Sequence, residues 1–226
     1  MIKLLFFIPL LVLNLQNLGS KKIYSEGKLM VVDKFGCLYS SKNEILYKYN
    51  PSGKTTYKFS DKLLGNVSSL DATNPLRVLA YYQEAGMVIF LDNTLSIHNQ
   101  IQLNEFGYDQ TTLACSSNNE SFWLYDAINF SIVKLNEYGQ QVTNSGNLLQ
   151  LTGHNLNPNY LIEANDLLYL NDSKIGILVF DMYGGYLKTI PIQNLSYFQI
   201  IDEHIVYQKN GSIMDFDLKL LKEKKL

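Results

Sequence analysis

The sequence predicts an all-β fold, a β-propeller of about five four-stranded blades. Three observations predict it. Short runs of Val, Ile, Leu and Tyr are bounded by Asn, Asp and Gly; a turn residue recurs at a near-constant interval; and an aromatic marker keeps step with that turn. The pattern is plainest from Leu167 to Pro191, LLYLNDSKIGILVFDMYGGYLKTIP. An apolar run ends at Leu170 before a polar turn, a second run from Ile177 to Phe180 stops at Asp181, and a third follows from Tyr186 to Ile190.

Asp181 is the marker of the turn after the central strand. Asn136 in VKLNEYGQ and Asn50 in YKYNPSGK hold the same place, and each of the three has a glycine three residues later: Gly184, Gly139 and Gly53. The step from Asn50 to Asn136 is twice too long, which requires a unit between them. That unit is Ile89 to Asn93, with Asp92 at the turn and no glycine; a fifth, Ile213 to Asp217, places Asp217 there. The physical reason is local. Asn or Asp accepts hydrogen bonds from backbone just downstream, and glycine supplies the positive φ that closes the turn.

The aromatic marker lies upstream of each turn, at Leu38-Tyr39, Tyr81-Tyr82, Trp123 to Tyr125, Leu168-Tyr169 and Val206-Tyr207. An apolar stretch precedes each marker and a more polar strand follows each turn. Four strands with a polar last one suit a blade, whose inner strands are covered on both faces and whose outer strand is half solvated. The units are 28–60, 66–103, 111–150, 159–193 and 197–226, in a single domain of 21–226.

At 226 residues the chain is long enough for a substantial core. Its net charge of −2, with no basic face, argues against nucleic acid. Residues 1–20 differ in kind: Lys3, then LLFFIPLLVL, then a polar end at Gly19-Ser20, the layout of a signal peptide. The apolar part is too short to span a bilayer, and no cysteine marks a lipid anchor. The expected location is therefore the periplasm or the outer-membrane surface, without stable membrane insertion after cleavage. The basic end, KLLKEKKL, reads as a solvated last strand or tail.

Chemistry-bearing residues are scattered. Cys37 and Cys115 lie at non-equivalent places and read as two buried thiols in preference to a disulfide; His98, His154 and His204 have no zinc spacing. No nucleophile elbow, P-loop or dinucleotide fingerprint is present, so no catalytic residue, cofactor or metal is expected. Five carboxylates stand out: Asp33, Asp71, Asp126, Glu163 and Asp202. Asp33, Asp71, Glu163 and Asp202 follow the first strand of units one, two, four and five, and are read as turn starters in preference to an acidic ring about the axis. Tyr81, Tyr82, Trp123, Tyr125 and Tyr183 are read as packing before a sugar or peptide platform. Residues 71–75, DATNP, break the repeat, and an insertion on a repeat scaffold commonly lies on the binding face. Asp71, Asn74, Tyr81 and Tyr82 are accordingly the candidate partner-binding residues.

ILVFDMYGGYLKTIPI resembles the core of NHL and YncE-type propeller repeats, with units one and three matching more loosely and units two and five lacking the glycine. The chain is also similar to exported propeller-like proteins of the Bacteroidota, through DATNPLRVLAYY, VIFLDNTLSI and GILVFDMYGGYLKTIPI. The resemblance implies a fold, a compartment and an interaction platform, and it brings no catalytic residues. Two functions are expected in order: a non-catalytic module binding a protein in the bacterial cell envelope, and, as the alternative, a carbohydrate-binding or carbohydrate-active propeller using carboxylates at its funnel.

Overall fold

The computed structural model describes residues 27–226, so the predicted signal peptide and its cleavage region lie outside the described residues. Five antiparallel four-stranded sheets are arranged as the blades of a propeller, each built from consecutive strands. Blade 1 comprises β1 (Lys28–Val32), β2 (Leu38–Lys42), β3 (Ile45–Tyr49) and β4 (Thr55–Ser60). Blade 2 comprises β5 (Ser69–Asp71), β6 (Val78–Tyr82), β7 (Met87–Leu91) and β8 (Ile97–Gln102). Blade 3 has β9 (Thr111–Ser116), β10 (Phe122–Asp126), β11 (Ser131–Leu135) and β12 (Gln141–Asn144). Blade 4 has β13 (Tyr160–Ala164), β14 (Leu167–Asp172), β15 (Gly176–Asp181) and β16 (Tyr186–Ile190). Blade 5 has β17 (Gln199–Ile201), β18 (His204–Lys209), β19 (Ser212–Asp217) and β20 (Lys222–Lys225). Lys28, where the first unit is expected to begin, is the first residue of β1.

The core lies between blades, and strand periodicity explains why. Successive side chains on a strand point to opposite faces. In β6, Val78, Ala80 and Tyr82 meet Tyr39 and Leu46 of blade 1, while Leu79 and Tyr81 meet Phe122 and Leu124 of blade 3. Every residue of β6 is therefore buried. The same alternation joins Trp123, Tyr125 and Ile132 to Leu168, Leu170 and Leu178, and joins Tyr169, Ile177 and Val179 to Phe198, Ile205 and Tyr207. Outer strands such as β4 and β20 remain largely exposed.

This packing corrects two of the candidate partner-binding residues. Tyr81 and Tyr82 are 1% and 2% exposed, because blade 2 has a neighbour on each side. Tyr81 donates its hydroxyl to the Thr111 carbonyl of blade 3, and burial pushes its pKa up to about 12. They hold blades together and are out of a partner's reach.

The five marker residues occupy equivalent turns between the third and fourth strands. Oδ1 of Asn50, Asp92, Asn136, Asp181 and Asp217 accepts the N–H two residues on. In the first four blades it also accepts the N–H four residues on, and a register shift beside the turn forms a bulge. Gly53, Gly139 and Gly184 have φ of 88°, 77° and 84°. Blade 2 keeps the conformation without the glycine: Leu95 has φ 61° and is 3% exposed, its side chain packed between blades 1 and 2. Burial there offsets backbone strain of about 1–2 kcal/mol.

Candidate binding cleft

First-to-second and third-to-fourth strand turns share one face of the propeller, and four of the five candidate acids, Asp33, Asp71, Glu163 and Asp202, lie there, while Asp126 starts the turn between β10 and β11 on the opposite face. Asp33 ends β1 as a turn starter: Oδ1 accepts the N–H groups of Phe35 and Cys37, and Oδ2 accepts the Tyr39 hydroxyl. Asp126 does the same after β10 for Ile128 and Asn129. Asp202 sits in a turn with φ 50°, its carbonyl accepting the Asn165 side-chain amide.

Asp71 and Glu163 do more than start turns. Asp71 accepts the N–H and hydroxyl of Thr73 on Oδ1, and on Oδ2 it accepts the N–H of Ser116 in the next blade at 2.8 Å. Burial pushes its pKa up, against the lowering effect of those hydrogen bonds. Glu163 lies within β13 and starts no turn, a correction to the reading from sequence. Its Oε2 accepts the Ser117 hydroxyl and the Trp123 indole N–H, and its Oε1 accepts the Asn118 N–H at 3.2 Å. Lys134 Nζ stands 3.9 Å from the same carboxylate and 5.1 Å from the centre of the Trp123 ring. Blade 3 lacks the recurring acid, and it is the blade whose turn is gripped from both sides by its neighbours' acids. Cys115 lies beside them; burial first, then the charges of Asp71 and Glu163, push its thiol pKa well up. Both cysteines are free thiols; Cys115 is buried, while Cys37, expected to be buried, is only partly so.

Arg77 completes this brace. Its guanidinium lies 3.7 Å from the centre of the Phe90 ring and donates to the carbonyls of Ser121 and Glu120. A planar, multi-donor cation suits stacking and paired carbonyl bonding together. The reading from sequence missed it, although a signal was present: Arg77 is the one arginine among 19 basic residues.

The cleft arises from a difference in loop length. Six residues join β5 to β6, against two, Asn165 and Asp166, joining β13 to β14. Those two take φ of 53° and 59°, which keeps the blade 4 turn low. The blade 2 loop, braced by Asp71 and Arg77, faces the low turn of blade 4 across the blade 3 turn. Between them is a cavity of about 610 Å³, with Asn74 and Leu76 on one wall, Ser116 to Glu120 on its floor and Glu163 to Asn165 opposite. Of the four candidate partner-binding residues, Asn74 is exposed on this wall and Asp71 is buried behind it. Leu76, 68% exposed, stands beside Asn74. Tyr183, whose N–H caps the Asp181 turn, is exposed at that turn's tip. Among the described residues, no group of three or more His, Cys, Asp or Glu could hold a metal ion.

No protein-family model matches the chain, and no curated protein matches its sequence. Solved structures do match. The β-propeller domain of Cps50 (Swd1) from Myceliophteria thermophila superposes with a TM-score of 0.60 at 12% identity, over 87% of this chain and 68% of that one. The chain is a β-propeller. The extracellular domain of the one-component system BT4673 from B. thetaiotaomicron matches with a TM-score of 0.58 at 13% identity, over 88% of this chain and 29% of that one. BamB from Moraxella catarrhalis matches with a TM-score of 0.51 at 11% identity, over 87% of this chain and 62% of that one. At these identities the likeness is one of fold, and this propeller spans less than two thirds of the BamB and BT4673 chains.

Proposed function

We propose that this propeller is a non-catalytic module that is exported to the bacterial cell envelope and binds a protein partner through the cleft face. One observation carries the reading: the carboxylates are committed to structure while the cleft wall is not. A glycosidase needs two carboxyl groups about 5–10 Å apart with oxygens free to meet a sugar. Both oxygens of Asp33, Asp71 and Glu163 already accept hydrogen bonds within the fold, so of the four acids that follow a first strand Asp202 is the exposed one, and a funnel enzyme needs a second. Asn74 and Leu76, by contrast, project beside a concave surface, as partner-binding groups do. The N-terminal run after Lys3 and the extracellular neighbour support export, and ILVFDMYGGYLKTIPI supports NHL-like repeats.

The test is crosslinked co-purification from the native organism. The double change Asn74→Ala with Leu76→Asp abolishes capture of the partner without lowering the unfolding midpoint. Retained capture rules out this face. Glycan hydrolysis by the wild type that stops on Asp33→Asn or Asp202→Asn rules out a non-catalytic role. N-terminal sequencing checks the compartment: the mature chain begins near Lys21, outside the cytoplasm, and an intact Met1 in the cytoplasmic fraction overturns export.

A further inference from the structure

We propose that the cleft continues into an apolar slot between blades 4 and 5, and that the two form one groove for an extended polypeptide segment with a basic residue close to a large apolar one. The inference rests on the reading that this face binds a protein, and it specifies the chemistry of the segment bound.

The slot is a second cavity of about 250 Å³ walled by Leu167, Tyr169, Val179 and Leu218. It opens on the same face as the cleft, because Leu167 directly follows the blade 4 turn and Leu218 lies in the last turn of blade 5. One rim is held by backbone and charge: Leu218 N–H donates to the Glu203 carbonyl at 2.9 Å, and Lys219 pairs with the Glu203 carboxylate. Asn165 lines both cavities, so the slot begins where the cleft ends. An apolar pocket with a polar rim is the form taken by an interface anchor site.

Charge decides what enters the cleft. Glu120 is exposed in its lining, Asp166 is exposed beside it and accepts the Asn118 side-chain amide, Glu163 lines the opposite wall, and Asp71 is buried behind Ser116. Four carboxylates thus stand against two cations, Arg77 and Lys134, with His98 also in the lining. Arg77 is bound to two carbonyls over Phe90, and Lys134 is buried against Glu163. A concave surface dominated by one sign focuses its potential and favours a cation. The side-chain amides of Asn74, Asn118, Asn119 and Asn165 lie along the path, each offering a donor and an acceptor, as peptide backbone requires. A sugar chain is the poorer fit, because neither cavity presents an exposed aromatic face: Tyr169 is 1% exposed.

The test is a displayed random-peptide library selected on the purified protein, with an enriched peptide labelled and its binding followed by fluorescence anisotropy. Enriched peptides share a Lys or Arg close to Leu, Ile, Met or Phe. Leu218→Asp weakens binding about tenfold or more, as loss of an anchor does. Glu120→Lys weakens it and removes much of its salt dependence. Unchanged Trp123 emission in each variant establishes that the fold is intact, and Leu218→Ala repeats the slot test with a milder change. Absence of enrichment, peptides without the basic–apolar pair, or binding indifferent to both positions overturns the inference. A native partner lost on changing Leu76 but held at full strength by the Leu218 and Glu120 variants overturns this inference alone and leaves the proposed function standing.

Discussion

Replacing Glu163 by Gln tests the brace at the centre of the cleft. Gln keeps the shape of Glu and one acceptor oxygen but turns the other oxygen into an NH₂ donor. Three donors converge on the native carboxylate: the Ser117 hydroxyl, the Trp123 indole and the Asn118 N–H. Ser117 can rotate and accept, but the amide cannot satisfy both remaining N–H groups. One is left facing a donor, at a cost of about 1–3 kcal/mol. Lys134, its side chain 9% exposed, also loses its counter-charge. Breaking a buried ion pair costs about 3–5 kcal/mol, but the 3.9 Å separation and the Trp123 ring beneath the ammonium place this pair below that range. Removing a desolvated carboxylate returns part of the loss. The net expectation is about 3 kcal/mol, equivalent to a midpoint about 6–12 °C lower for a domain of this size. The assay reads the site directly, because Trp123 is the single tryptophan and is fully buried. Native emission shifts in E163Q, and Lys134→Met costs less in the E163Q background than in the wild type. An unchanged midpoint with unchanged emission would refute the brace.

Three further outcomes follow from the turns and their acids. Gly184→Val lowers stability by about 2 kcal/mol in chemical denaturation, since φ is 84° and the new Cβ meets Ser145 backbone at 3.3 Å; Gly139→Val costs less, because the atoms in its way belong to the partly exposed Phe106 ring. Leu95→Gly destabilises by about 2 kcal/mol, because losing a buried leucine, about 2–5 kcal/mol, outweighs about 1–2 kcal/mol of relieved strain; a more stable variant would overturn that ranking. For pH, backbone N–H bonding from Ser96, then bonding from Thr94, holds the Asp92 pKa below its ordinary value. Its contribution is therefore present above pH of about 4 and is lost as pH falls through the depressed value. Asp71, raised by burial, works in the opposite sense, its contribution strengthening on acidification toward pH of about 4. Stability titrations from pH 7 to 3 should thus be flatter at the acid end for Asp92→Asn and should lose an acid-side gain for Asp71→Asn.

The architecture was legible because its signals are local. An Asx turn needs only the residues from Asn136 to Gln140, and a strand buried on both faces needs only the run VLAYY. Repetition multiplied those weak signals until five units were unambiguous. Leu95 hid one turn, and the reason lies outside the local sequence: a side chain from another strand set had to be present before a buried leucine could hold a glycine's conformation. The Tyr81-Tyr82 pair misled for the same reason. Aromatics that pack between blades and aromatics that greet a partner look alike until the neighbouring blade is in place.

By itself, the sequence determined five four-stranded units, their turn residues and an irregular loop at Asp71 to Pro75, since these depend on φ preferences, side-chain alternation and spacing along the chain. Only the tertiary structure decided what the acids do. Asp71 and Ser116 are 45 residues apart, and Glu163 and Ser117 are 46 apart, about one blade step each, so the repeat places them in adjacent blades without saying which groups bond. Whether a carboxylate starts a turn, lines a funnel or braces the next blade depends on the donors that surround it, and those donors come from other blades.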